Sequence, residues 1–215
     1  MSGDALRFAR PVAADAARLE WAHLLDGAGG APQGNDWVAA TAVVASLFDA
    51  DECTRIIALG EGLGLSPGLM TRPSLLARRC SFAWMQNAGD TSWIYERVTA
   101  AVREANTRYC FDLHGMMDPL QFTRYDAATQ DEIGWHVDCG EGPNTTRKLS
   151  LTVQLSDPGD YDGGDLEFLA MPPSSFLRHQ GAAVLFPALL AHRVTPITRG
   201  SRYSLVAFFN GPPFR

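Results

Sequence analysis

The stretch AAVLFPALLAHRVTPITRGSRYSLVAFFN, residues 182–210, holds three short runs rich in β-branched and aromatic residues, at 182–186, 192–197 and 202–210. Pro187 and Gly200 punctuate them, and runs of this texture bounded by turn formers read as strands. Upstream, runs of the same kind lie at 120–125, 133–138, 148–155 and 165–169. Seven short strands at roughly regular spacing predict an antiparallel sandwich or barrel. The glycines of YDGGDLEF (161–168) mark a turn or hairpin.

Before Cys110 the texture is different. In DADECTRIIALGEGLG (49–64), Asp49 and Glu52 have the spacing of a capping box, so a helix opens there. Ile56, Ile57 and Leu59 would face a core, and Gly60 or Gly62 would stop the helix. A second helix fits TSWIYERVTAAVREANTRYC (91–110), with Thr91 as cap and Ile94, Val98, Ala101, Val102 and Ala105 on one face. WVAATAVVASLF (37–48) reads as a buried strand, although periodicity equally permits a helix. The Pro-, Arg- and Ser-rich loop between the two helices carries no readable element. Residues 1–34 are Ala-rich and end in GAGGAPQG; a short helix there would align Ala17, Trp21, Leu24 and Leu25. The expected organisation is an N-terminal extension (1–34) and one domain (35–215) whose β core starts near residue 110. The class is α+β, mainly β.

Composition narrows the partners. Hydrophobic residues make up 46% and charged residues 20%, ordinary for a globular chain. Net charge is −6, from 18 Lys plus Arg against 24 Asp plus Glu, which argues against nucleic acid or an anionic membrane as partner. The longest mainly apolar run, 38–48, is about half the ~20 residues a spanning helix needs. The N-terminus lacks the basic flank and apolar core of a signal peptide. Four scattered cysteines, with no Cys-x-x-Cys pair, point to a reducing, cytoplasmic setting.

The chemistry concentrates in GWHVDCG (134–140). On a strand, residues i and i+2 share a face, so His136 and Asp138 would converge. A third ligand must come from elsewhere. Of five histidines, His192 sits in the strand-like ALLAHRVTPI, just before the basic RGSRYSL. Two His and one carboxylate, leaving open positions on an octahedral metal, suit non-haem Fe(II) oxygenases. Taken singly, each residue has a blander reading. His136 and Asp138 could be an edge-strand surface pair, His192 a core histidine and Arg202 a solvated strand-end charge.

Together they are more specific. From about residue 49 to 215 the chain resembles the prolyl-4-hydroxylase-like branch of the 2-oxoglutarate oxygenases, and in particular the bacterial PKHD-type hydroxylases. The likeness rests on QFTRY (121–125), WHVD (135–138), RKLSLTVQLSDP (147–158), YDGGDLEF (161–168) and LLAHRVTPITRGSRYSLVAFFNGP (189–212). An HxD pair alone is weak. His192 lies 54 residues after Asp138, Arg202 ten further on and Ser204 two beyond that, and this set is specific. The resemblance implies a double-stranded β-helix (jelly-roll) core with the N-terminal helices packed on one sheet. It implies Fe(II) held by His136, Asp138 and His192, 2-oxoglutarate and O2 as co-substrates, ascorbate as a candidate accessory, and hydroxylation with release of succinate and CO2. Arg202 would grip the C5 carboxylate of 2-oxoglutarate with two parallel hydrogen bonds. Ser204 on the same strand face and Tyr125 would assist it; Lys148 and Arg193 are the substitute cations.

The substrate implied first is a prolyl or other amino-acid side chain in a peptide or protein, then a free amino acid or natural-product intermediate. Two other classes compete: a β-barrel binding module without metal, and a zinc hydrolase using the same triad. The complete ligand set disfavours the module and the Arg–Ser pair disfavours the hydrolase, which needs no anion anchor. The mouth should be built by the N-terminal helices, the loop at 65–79 and the GEGPNTTR loop (140–147). Asp165 and Glu167 are expected to face solvent, Cys139 to point away from the metal, and Trp84 and Trp135 to be core or rim aromatics. His23, His114 and His179 are structural or exposed, with Arg178 and His179 as alternative mouth residues.

Overall fold

The computed structural model describes residues 19–22, 41–68, 78–140, 142–169, 171 and 174–213. Strand β1 (Leu19–Ala22) pairs antiparallel with β2 (Thr41–Val44), Trp21 opposite Ala42. Trp21, expected on a helix with Ala17, Leu24 and Leu25, therefore lies on a strand, and its three expected companions lie outside the described residues. An isolated helix that short is marginal, and backbone pairing along a sheet edge outweighs its weak preference. The remaining expectations for residues 1–40 lie outside the described residues. Within the described part of the run at 37–48, Thr41–Val44 form a buried strand, β2.

Helix α1 (Ala50–Glu61) opens at the predicted capping box. Asp49 Oδ1 accepts from the Glu52 N–H at 2.8 Å, and the Glu52 carboxylate accepts from the Asp49 N–H at 3.0 Å. Ile56 is fully buried, with Ile57 and Leu59 packed beside it, and Gly62 ends the helix. Gly60 remains inside it, because a Cβ there would lie 2.4 Å from the Phe122 ring. Helix α2 (Ser92–Tyr109) buries the predicted face of Ile94, Val98, Ala101, Val102 and Ala105. Thr91 precedes it without capping; its hydroxyl donates to the carbonyls of Gln86 and Ala88.

Between the helices lie three strands the sequence does not announce: β3 (Ser66–Pro67), β4 (Arg78–Arg79) and β5 (Ser81–Met85). Two are only two residues long, too short to show any period. Next come β6 (Leu120–Asp126), β7 (Glu132–His136), β8 (Arg147–Gln154), β9 (Asp162–Gly163) and β10 (Leu166–Phe168). The last are β11 (Ala183–Pro187), β12 (His192–Val194), β13 (Ile197–Arg199) and β14 (Ser201–Asn210). The predicted run at 192–197 is thus split, with Pro196, which has no N–H to donate, in the gap.

A major sheet runs β1-β2-β11-β8-β14-β6-β5-β3, a minor one β10-β12-β7-β4, and β13 pairs with β9. All strand pairings among the described residues are antiparallel, and these residues are mainly β with two α-helices. Alternation along β8 sends Leu149, Leu151 and Val153 into one core with Ile56, Ile94, Val98 and Val102 of the helices. The helices therefore cover one face of the major sheet. A second core joins Tyr125, Val184 and Phe186 of the major sheet to Leu166, Phe168 and Val194 of the minor one. Full burial of each large aliphatic side chain contributes about 1.5–3 kcal/mol, and a one-residue slip would turn the set outward, so register is strongly held. No helix among the described residues is long and apolar enough to cross a membrane.

Candidate metal centre

His136 and His192 are register partners on neighbouring strands β7 and β12, their ring centroids 4.2 Å apart. Each Nδ1 lies 2.9 Å from a carbonyl two residues earlier, Gly134 for His136 and Leu190 for His192. Nδ1–H donation to a carbonyl leaves Nε2 as the bare lone pair that a metal takes. Asp138 is not on the strand, which stops at His136. Convergence is instead secured by the next two backbone N–H groups: Asp138 and Cys139 both donate to the Ala188 carbonyl at 2.9 Å. The Asp138 carboxylate then lies 3.6 Å from each Nε2, Oδ1 toward His136 and Oδ2 toward His192. The Ser150 hydroxyl donates to Oδ2 at 2.7 Å.

The three ligand atoms lie within 4.8 Å of one another and can hold a metal ion. Burial, and after it the neighbouring His192, push the His136 imidazolium below its ordinary value, which favours the neutral, ligating form. Phe186 and Phe168 wall the His192 ring at 4.7 and 5.9 Å between centroids. Two imidazoles and a carboxylate on one side, with the other side facing a cleft, fit an Fe(II) centre with open positions.

The cleft has a volume of about 360 Å³, and the triad, Tyr125, Thr152, Arg202 and Ser204 all line it. Arg202 is 2% exposed, and no carboxylate pairs with it among the described residues. Its Nε donates to Gln154 Oε1 at 2.9 Å, and Gln154 Nε2 is itself tied to the Ser156 carbonyl and the Tyr161 hydroxyl, each at 3.1 Å. Tyr125, opposite Arg202 on β6, sets its ring 5.3 Å from the guanidinium carbon. Burial pushes its phenol up, so it enters the cleft as a neutral hydroxyl.

Ser150 and Gln154 are missed by motif reading, yet they brace Asp138 and Arg202. The signal was present in KLSLTVQL, where Ser150, Thr152 and Gln154 alternate with Leu149, Leu151 and Val153. A polar face on a strand with no solvent side is a site face.

Other expectations resolve simply. Arg147 and Asn144 bring the 140–147 loop into the cleft lining, and Trp84, 38% exposed, is a rim aromatic. No residue of α1 or α2 lines the cleft, because both helices cover the opposite face of the major sheet. Arg178 is held by Asp165 at 2.6 Å and lies away from the lining with His179. Asp165 and Glu167 carry ion pairs, the latter with Arg193 at 2.7 Å, and are not simply solvated. Neither Arg193 nor Lys148 lines the cleft. Cys139 lies past the strand end and donates to the Thr145 carbonyl. Trp135 lies under Arg193, His114 is exposed beside Asp112, and His23 lies outside the described residues.

Fold and site together define a mainly β protein with a larger and a smaller sheet facing each other, and with a His–Asp–His cluster and a buried arginine in one cleft. No protein-family model matches the chain. Over 102 residues it is 41% identical to a PKHD-type hydroxylase of Nitrobacter winogradskyi, covering 42% of each chain. A PKHD-type hydroxylase of Paracoccus denitrificans is 38% identical over 97 residues, 40% of each. The matched segments thus span about two fifths of these relatives. A prolyl-4-hydroxylase of Pseudomonas putida superposes with a TM-score of 0.61 at 20% identity, over 80% of this chain and 92% of that one. A viral collagen prolyl hydroxylase from Paramecium bursaria Chlorella virus-1, in complex with 2-oxoglutarate, gives 0.59 at 17% identity, over 80% and 96%. The chain is a homologue of PKHD-type hydroxylases over that segment and shares the fold of prolyl-4-hydroxylase-like oxygenases.

Proposed function

We propose that this protein is an Fe(II)- and 2-oxoglutarate-dependent dioxygenase that hydroxylates an unactivated C–H, first of all on a prolyl or other amino-acid side chain in a peptide. The observation that carries the reading is Arg202: a buried guanidinium, unpaired by any carboxylate among the described residues, in the same cleft as the triad. A buried charge without a partner is costly, so this one is built for an anion that arrives from outside. We read the facing sheets as a double-stranded β-helix within one domain from residue 35 onward, after an extension at 1–34. The four free cysteines suit a cytoplasmic setting.

When bound, iron with 2-oxoglutarate and O2 supplies the oxidising power for hydroxylation, the co-substrate leaving as succinate and CO2. His136, Asp138 and His192 hold the metal, and Ser150 orients the carboxylate. Gln154 fixes the guanidinium by its Nε, which leaves the two terminal nitrogens of Arg202 for the C5 carboxylate. Ser204 and the Tyr125 hydroxyl add neutral donors. Asp138 fills the position that related halogenases leave to a small residue, so hydroxylation is the expected outcome.

Anaerobic calorimetry of 2-oxoglutarate binding, with Mn(II) as redox-inert metal, tests the reading. Arg202→Ala should weaken binding by roughly 2–4 kcal/mol, about thirty- to a thousand-fold, and Arg202→Lys should recover part of that because charge survives without the fork. Wild-type affinity in Arg202→Ala would remove the anchor assignment.

A further inference from the structure

The cleft lining is unequally charged. Among the described residues its one acidic side chain is Asp138, against three guanidiniums, Arg78, Arg147 and Arg202. Arg147 is neutralised by Asp118 at 2.7 Å and stacks over Phe208. Arg202 is accounted for by the dianionic co-substrate, whose charge a divalent cation would match. Asp138 against Arg78 and Arg202 then leaves one positive charge unbalanced, and Arg78 is where it resides.

Arg78 has no ion pair among the described residues, and its Nε is buried without a hydrogen-bond partner. Its guanidinium carbon lies 5.7 Å from the Phe82 ring centroid, and Phe82 meets Trp84 edge-on at the rim. Arg78 pairs with Ile133 on β7, three residues before His136, which places the two backbones roughly 10 Å apart at strand rise.

Resting on the oxygenase reading of this cleft, we propose that Arg78 docks a carboxylate of the prime substrate, on an aliphatic stem that lies against Phe82, within a residue or two of the reacting carbon. A planar guanidinium fork beside an aromatic wall suits a carboxylate on an apolar stem and rejects a cation. An acidic side chain in a peptide and the α-carboxylate of a free amino acid present this chemistry equally.

The test loads the full chain with Mn(II) and saturating 2-oxoglutarate and measures paramagnetic relaxation of added probes by NMR. The probes are N-acetylglutamic acid N-methylamide, its glutamine counterpart, and free glutamine. In the wild type the acidic probe should be relaxed about ten-fold more than its amide counterpart, and Arg78→Gln should erase that difference. Free glutamine relaxed as strongly as the acidic probe would assign the carboxylate to a free amino acid; weak relaxation would assign it to a peptide side chain. Calorimetry of 2-oxoglutarate on Arg78→Gln should stay near wild type, which also certifies an intact cleft. Equal relaxation of acid and amide in the wild type overturns the proposal. So does a loss of 2-oxoglutarate affinity in Arg78→Gln matching that of Arg202→Ala, because Arg78 would then belong to the co-substrate. If wild type fails to bind 2-oxoglutarate with Mn(II), the oxygenase reading itself falls, a separate result.

Discussion

Asp138 has two oxygens with different jobs available to them. Oδ2 already accepts a hydrogen bond from Ser150 at 2.7 Å, which holds the carboxylate plane and leaves Oδ1 freer for a metal. Removing a group that orients a ligand commonly weakens metal binding ten- to a hundred-fold. Ser150→Ala should therefore lower Fe(II) affinity by about ten-fold in an anaerobic competition with a chelator, while 2-oxoglutarate affinity at saturating Mn(II) stays unchanged. Equal losses of both would mean that Ser150 supports the cleft as a whole and not the ligand. At this scale the sequence pointed to the candidate triad and to Arg202, which the fold brings into one cleft, because HxD, the distal His and the Arg–Ser pair are specific in combination. It did not show Ser150, Gln154 or Arg78, which act through contacts that only the folded sheets create.

Elements obey local rules where those rules are strong. The capping box of α1 and the apolar stripe of α2 were legible because each satisfies its own backbone or its own burial. Thr91 misled, since a hydroxyl that can cap can equally bond backward to nearby carbonyls. Gly60 looked like a stop but is a contact, its missing Cβ filled by Phe122. Gly60→Ala should cost about 1–3 kcal/mol of stability by urea unfolding, where a helix surface site would gain from the same change; a gain would show that α1 can retreat from the sheet. The turn after β6 depends on charge. Asp126 accepts from the Ala128 N–H at 2.8 Å, from Arg124 at 2.7 Å and from Ser201 at 3.2 Å, and the Ala128 N–H leads in holding its carboxyl below the usual range. A depressed folded value means that the stabilisation exists above the unfolded pKa and is lost as pH falls through the folded one. Asp126→Asn keeps an oxygen for Ala128 but loses the charge. Its deficit against wild type should be a few tenths of a kcal/mol, up to about 1, at pH 7 for so exposed a charge, and shrink as the carboxyl protonates on acidification. A deficit of equal size before and after acidification would assign it to shape and not to charge.

Over the whole molecule, the predicted seven runs supply four of the eight strands of the major sheet and three of the four of the minor one, because each buried strand needs its β-branched and aromatic residues wherever its partners lie. Which strands pair, and the crossing of β4 into the minor sheet, depend on contacts between segments far apart in the chain and leave no local trace. Strand β8 shows what such sharing of duty entails. Its odd positions, Leu149, Leu151 and Val153, are packed under the helices; of its even positions, Thr152 lines the cleft, Ser150 bonds Asp138 and Gln154 bonds Arg202. A single inserted or deleted residue there would exchange the two roles at a stroke, emptying the core and paving the cleft with leucine. Variation in this protein is consequently channelled. Loops such as the one bearing Asn144 can lengthen and reshape the cleft mouth, whereas β8 can change only by substitution, one position and one face at a time.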